Sequence, residues 1–317
     1  MKKRKYLFII LFVLVVGVTT FSLVFLTKGS DTYKVTTIKD SYNILSLVNE
    51  NDEIVIPLYS NNKKCDLVYQ NKVANCSICD LPEDNVFLLE LNSISSSGNI
   101  LKISGEEFYE YDYHFTFKGE FTEEVKETIE KAYLKIEMKE KEVKLCIGSL
   151  SFYKVLSYSD NYNSLDLVCL KAIVNELDEE KSIVGVVLGL KNSSSDAITI
   201  NNINLLDINL KASNGEVKVI ETVPDSTSDI STLLGYDYSY DSLVTDTLSI
   251  DIASFETKYL LIPLKKVGEL NSSRFGLQID YLLFGDNKSY YIDDFLYFKT
   301  SQNLKKEDFD IFTYENN

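Results

Sequence analysis

Three cysteines stand close together early in the chain: Cys65, Cys76 and Cys79, spaced C-x10-C-x2-C. Thiols at this spacing can form a disulfide, hold a metal or act as a redox pair. A tetrahedral metal site wants four ligands, and no His or fourth Cys lies nearby in sequence. A disulfide, Cys65–Cys79 or Cys65–Cys76, would close a loop worth roughly 3 kcal/mol in the chain-entropy model. Oxidising compartments favour such bonds. The expected chemistry here is structural, a disulfide staple or packed thiols, with no metal ligand. Cys146 and Cys169 fall on predicted strands and read as small packing residues.

A second constellation is Gly235-Tyr236-Asp237-Tyr238-Ser239-Tyr240-Asp241. Three phenol rings and two carboxylates in one loop suit contacts to a sugar or a peptide. The competing expectation is a loop that folds its rings onto the protein beneath. Glu110, Asp112 and His114 alternate on one side of a predicted strand and could face a cation, although a solvated strand face, opposite an aromatic one, is the expected reading. Acidic clusters at Asp178-Glu179-Glu180, Asp237/Asp241 and Asp293-Asp294 offer oxygens of the kind Ca²⁺ takes. None has the spaced D-x-D-x-D-G pattern, so Ca²⁺ is allowed and no cofactor is required.

Composition narrows the chemistry further. The 317 residues hold a single His, no Trp, and 48 acidic against 32 basic residues. One His removes most Ser/His/Asp, Cys/His and His-ligated metal machinery. A Cys-His-Arg transpeptidase of the sortase type would have to use Cys146 or Cys169 with His114 and Arg274. The cysteines sit in Val-Lys-Leu-Cys and Asp-Leu-Val-Cys, without the Thr-Leu-x-Thr-Cys strand such enzymes carry. No catalytic residue is expected. The acidic balance argues against nucleic acid, because affinity for phosphate backbones comes from Lys and Arg.

The elements that must position these residues read as strands. Leu134-Lys-Ile136-Glu-Met138 and Val143-Lys-Leu145-Cys-Ile147 alternate with the period of a half-buried strand. Tyr109, Tyr111, Tyr113, Phe115 and Phe117 share one parity. Val184–Leu190, Val217–Val223 and Tyr259–Leu264 also read as strands, and Gly285-Asp286-Asn287 as a hairpin turn. Phe121, Val125 and Ile129, four apart, predict a short surface helix. Asn61-Asn62, Ser95–Asn99 and Asn201-Asn202 are expected to turn the chain where Gly and Pro are scarce. Shifting the sequence by 145 residues superposes the strand patterns from about 113 to 154 on a second set, with Ile54–Leu58 the counterpart of Val184–Leu190. The expected fold is all-β, with two tandem β-sandwich domains at 33–155 and 163–300 joined by the polar stretch Ser157–Ser164. Residues 301–317 are expected as a frayed C-terminal tail.

Residues 2–5 read Lys-Lys-Arg-Lys and are followed by an uncharged apolar run from Tyr6 to Thr27. Twenty helical residues span roughly 30 Å, the hydrocarbon thickness. The run is longer than a signal peptide's apolar region and lacks a good cleavage site. A transmembrane anchor at 6–27 with a cytoplasmic tip at 1–5 is expected, and the positive-inside rule puts the rest outside. Without residues 1–30, which hold five basic residues and no acidic one, 27 basic face 48 acidic residues, a charge of −21.

The basic-plus-apolar anchor, the run Ile183–Ser194 ending in Lys-Asn-Ser-Ser, and the closing pair Leu277–Leu283 and Tyr290–Phe298 carry a family resemblance. The chain resembles the immunoglobulin-like extracellular repeats of single-span surface proteins of Gram-positive bacteria. The resemblance implies a structural, adhesive or partner-binding role, toward an extracellular protein or cell-wall partner. A cell-envelope enzyme, or an accessory acting on peptidoglycan, glycan or peptide, is the alternative expectation.

Overall fold

A computed structural model describes residues 32–47, 53–81, 83–119, 121–139, 141–155, 164–177, 180–270, 272, 274–296 and 308–315. The anchor expected at 6–27 and most of the linker expected at 157–164 lie outside them. Among the described residues no helix is long and apolar enough to cross a membrane.

The chain is mostly β, as its alternation requires. The first strands are β1 (Thr32–Thr37), β2 (Asp40–Ser46), β3 (Glu53–Ser60), β4 (Val73–Cys79) and β5 (Val86–Ile103). They are followed by β6 (Glu106–Phe117), β7 (Val125–Met138) and β8 (Glu142–Lys154). With the C-terminal β18 (Phe312–Glu315) they form one nine-stranded sheet, ordered β18-β1-β3-β6-β5-β4-β7-β8-β2. The sheet rolls up around one core. Val35 of β1, Ile56 of β3, Phe115 of β6, Leu134 of β7 and Leu145 of β8 are all 0% exposed within it. Phe152 anchors one end, stacked on Phe117 at 4.6 Å and tilted against Phe87 and Phe121 at 5.3 Å each.

The second half holds β9 (Leu165–Leu177), β10 (Glu180–Asn192), β11 (Ile198–Leu206), β12 (Leu210–Ala212) and β13 (Lys218–Ile220). A short helix α1 (Ile230–Leu234) precedes β14 (Ile250–Ile252), β15 (Thr257–Lys266), β16 (Arg274–Leu283) and β17 (Asp286–Leu296). Two sheets result, ordered β12-β15-β10-β9 and β14-β11-β16-β17. Their inward residues, among them Val186, Leu188, Ile262, Ile203, Leu277 and Ile279, share one core. These orders match the A-B-E-D and C-F-G sheets of an immunoglobulin-like sandwich, with β14 added beside the C-position strand. The pairings β1-β3-β6 and β4-β7-β8 in the nine-stranded sheet recur here as β9-β10-β15 and β11-β16-β17.

Several expectations are corrected. No helix forms at Phe121–Ile129, because β7 already runs from Val125 and pairs with β8. A spacing of four is a multiple of the strand period and nearly a full helical turn, so it could not separate the two. Ser95–Asn99 and Asn201-Asn202 do not turn the chain. They are irregular points inside β5 and β11, marked by register shifts at Ser96/Ile100 and Ile200/Asn202. The β16–β17 turn is Phe284-Gly285, both at positive φ (55° and 84°), so Asp286 and Asn287 are already paired strand residues. The expected tail is not all frayed. β18 pairs with β1, and Phe309 bridges Ile38. Within 33–155 the strands belong to one continuous sheet, because β5 bonds to both β6 and β4 and links the two faces around the core.

Candidate functional site

The tyrosine loop folds mostly inward. Asp229 caps α1 through Thr232 N–H (2.8 Å), and Gly235 ends it at φ +84°, where a side chain would be strained. The chain then doubles back over β15. Tyr238 donates to the Leu264 carbonyl, and Lys265 Nζ lies 4.4 Å from the Tyr238 ring centroid. Lys265 is only 1% exposed, and its ammonium is matched by Glu216 at 2.9 Å and by the Ser239 carbonyl at 3.0 Å. Tyr240 packs against the sandwich core. Burial pushes the Tyr238 and Tyr240 hydroxyls well above the ordinary phenol range. The Tyr236 hydroxyl is pushed up to about 12, by burial first and then by Glu216. Tyr236, Asp237 and Asp241 stay exposed. The loop is therefore a clamp with an exposed rim.

The cysteine cluster is structural. Cys65, Cys76 and Cys79 are buried free thiols, so the expected staple is not formed. Cys76 and Cys79 are three apart on β4, which sends their side chains to opposite faces. The segment after Cys65 winds into short 3-10 turns at Asp66–Val68 and Gln70–Lys72, burying Leu67. Burial raises all three thiols, Cys76 to about 12, which keeps them protonated and unreactive at neutral pH. Cys146 is also buried and free. Glu110 and His114 on β6 are half-buried and engaged with neighbours. Asn99 Nδ2 donates to Glu110 at 2.8 Å, and His114 Nε2 lies 3.3 Å from Ser95 Oγ. Among the described residues no group of three His, Cys, Asp or Glu could hold a metal ion.

Concave geometry appears elsewhere, on the outward face of β11-β16-β17. An open polar cleft of about 580 Å³ is lined there by Glu124, Asn201, Asn202, Asp280, Asn287, Lys288, Ser289 and Tyr291. Alternation builds it. Ile203, Leu277, Ile279 and Tyr281 point into the core, so Asn202, Asp280 and Ser289, paired across the three strands, point out. Asp280 is held from three sides. Its Oδ2 accepts from Asn202 Nδ2 (2.9 Å), and its Oδ1 accepts from Gln278 Nε2 (2.8 Å) and Ser289 Oγ (2.6 Å). Asn202 is itself fixed by Asn214 Nδ2 at 2.8 Å. Asn201 is the extra residue of the β11 bulge, and its shielded side-chain oxygen has no hydrogen-bond partner. Bulges re-aim side chains and concentrate near functional sites, and an unmet buried acceptor costs about 1–3 kcal/mol.

The far wall of the cleft comes from the other half of the chain through Glu124. A polar seam holds the halves together. Asn43 Nδ2 on β2 donates to Asp207 Oδ2 (2.9 Å) and to the Arg274 carbonyl (2.9 Å). Asn209 Nδ2 donates to Ser41 Oγ (2.9 Å) and Ser149 Oγ (3.1 Å). Leu45, Leu47, Val155 and Leu206 pack beside them with Tyr153 and Tyr291. A Cβ on Gly276 would stand 2.9 Å from the Leu45 Cβ, so β16 meets β2 at a distance only glycine allows without displacement. Tyr291 belongs to both seam and cleft.

The sequence reading missed this cleft. Asn201-Asn202 drew notice only as a turn, and Asp280 and Ser289 were scattered polar residues on alternating strands. The shift that aligned β7 with β16 and β8 with β17 was the available signal. It marked β16 and β17 as neighbours and put Asp280 and Ser289 on one parity.

No family model matches the chain. No curated protein matches it either. Solved structures are similar at low scores. A protein of unknown function from Porphyromonas gingivalis W83 shares 10% identity over 81% of this chain and 99% of its own, with a TM-score of 0.22. The C-terminal domain of the Streptococcus agalactiae AgI/II polypeptide BspA shares 10% identity over 80% of this chain and 96% of its own, at 0.19. The C-terminal domain of the Streptococcus pyogenes antigen I/II-family protein AspA shares 8% identity over 81% of this chain and 96% of its own, at 0.19.

Proposed function

We propose that this chain is a membrane-anchored extracellular β-sandwich protein with a structural, adhesive or partner-binding role and no catalysis. The anchor is residues 6–27, the cytoplasmic tip 1–5, and the displayed units are 33–155 and 163–300. The observation that carries the reading is the outward polar face of β11-β16-β17, an open concave surface lined also by Glu124. It is a preorganised concave surface on a rigid platform, which is what recognition needs. The exposed rim of the tyrosine loop, Tyr236, Asp237 and Asp241, is a second contact surface, with Tyr238 and Tyr240 supporting it from beneath.

The alternative, a cell-envelope enzyme, would need a carboxylate free to move a proton. Asp280, on the cleft floor, has its oxygens occupied by Asn202, Gln278 and Ser289. That arrangement suits holding better than proton transfer.

The test is chemical crosslinking of the full chain in native membranes, followed by purification and mass spectrometry. Partner crosslinks should map to the cleft rim around Asn287 or to residues 236–241. Crosslinks confined to other surfaces would contradict the proposal.

A further inference from the structure

We infer that the cleft on β11-β16-β17 binds a neutral oligosaccharide. This rests on the partner-binding reading above and names the chemical class of the partner.

The lining chemistry makes the selection. Three carboxamides (Asn201, Asn202, Asn287), one hydroxyl (Ser289), two carboxylates (Asp280, Glu124) and one ammonium (Lys288) line the same space, with the Tyr291 ring at the seam end. A carboxamide both donates to and accepts from hydroxyls, and a carboxylate accepts from them. A sugar ring presents hydroxyls along its edge and an apolar C–H face that an aromatic ring can cover. An apolar peptide is a poor fit, because Tyr291 is the only large apolar surface in the lining. A phosphate-bearing ligand is also a poor fit, because Asp280 and Glu124 repel it and only Lys288 attracts it. The volume of about 580 Å³ lies within the range of small-ligand sites.

Two features show that the face is built rather than merely polar. The Asp280 side chain is locked by three donors, so little rotamer freedom is lost when a ligand arrives. The Asn201 carboxamide sits on a bulge with its oxygen unmet, so reorienting toward a ligand hydroxyl breaks no bond to that oxygen. The seam fixes Tyr291 at one end, while the Phe284-Gly285 turn leaves the other end open. The site therefore admits one end of a longer chain of sugars.

The test is a titration of the full chain, in detergent, with three soluble probes: the β-1,4-linked N-acetylglucosamine tetramer, cellotetraose and maltotetraose. At least one should bind saturably. Asn201→Ala should weaken that probe about tenfold or more, the loss of one well-made hydrogen bond in a shielded site, with a thermal midpoint no lower than that of the wild type, because the variant also removes the unmet acceptor. Asn287→Ala, at an exposed position, should weaken it too and guards against misfolding of the bulge variant. The inference is overturned if no probe saturates, or if both variants bind as the wild type does. If the probes fail while crosslinks in membranes still map to this face, the sugar class is wrong and the partner-binding reading stands. If the crosslinks also fail to reach the face, both are wrong.

Discussion

Lys265 carries its charge on a side chain 1% exposed, and three groups make that tolerable: Glu216, the Ser239 carbonyl and the Tyr238 ring. Removing one member of a buried pair strands the other, at a cost of about 3–5 kcal/mol for full burial. Glu216 keeps 24% of its side chain exposed, so Lys265→Met should cost about 2 kcal/mol in urea unfolding. It should also speed amide exchange across residues 236–241, and unchanged exchange would show that the clamp does not depend on this lysine. At this scale the sequence was half legible. The Tyr-Asp loop stood out as a cluster, but its partners lie on β15 and at Glu216, beyond the reach of any local pattern. The same holds for Asn201, whose role comes from a bulge set by its pairing with β16.

Strands were legible wherever one face was apolar and the other charged, as in β7 and β8. They were misread where spacing was ambiguous, as at Phe121–Ile129. Two element contacts can be tested. Gly148, at φ +106°, lets β8 lie parallel against β2, where a Cβ would stand 2.1 Å from the Asp40 carbonyl oxygen. Gly148→Ala should destabilise the fold by about 3 kcal/mol, through overpacking and backbone strain together. Phe152, 0% exposed in the aromatic stack with Phe87, Phe117 and Phe121, should lose about 3–5 kcal/mol on truncation to Ala. Urea titrations measure both.

The seam between β2 and the β11–β12 connection should respond to acid. Burial pushes the Asp207 carboxyl up to about 6, against the lowering effect of its hydrogen bonds from Asn209, Leu210 and Asn43. The folded state therefore holds the proton more tightly than the unfolded chain. Its stabilising contribution is fully present below about pH 4 and is lost as pH rises through about 6. Relative to Asp207→Asn, the wild type should gain up to about 3 kcal/mol on going from pH 7 to pH 4. Parallel pH profiles would place the titration elsewhere.

At the scale of the molecule, the parts make one device. A rolled nine-stranded sheet and a two-sheet sandwich meet at a polar seam, and Tyr291 belongs to both that seam and the cleft. The repeated pairing order was visible as a 145-residue shift, because strand parity survives where residue identity does not. The joining of the halves was not visible, because Asn43, Asp207 and Asn209 form a contact only once both sheets exist. The central claim is that the cleft faces the outside of a membrane. Asn287→Cys puts a thiol on its exposed rim, against native thiols that are buried or, at Cys169, half-buried. In intact host cells a membrane-impermeant maleimide should label Asn287→Cys as fully as it does after lysis, well above the wild-type background. Labelling that appears only after lysis would contradict the account.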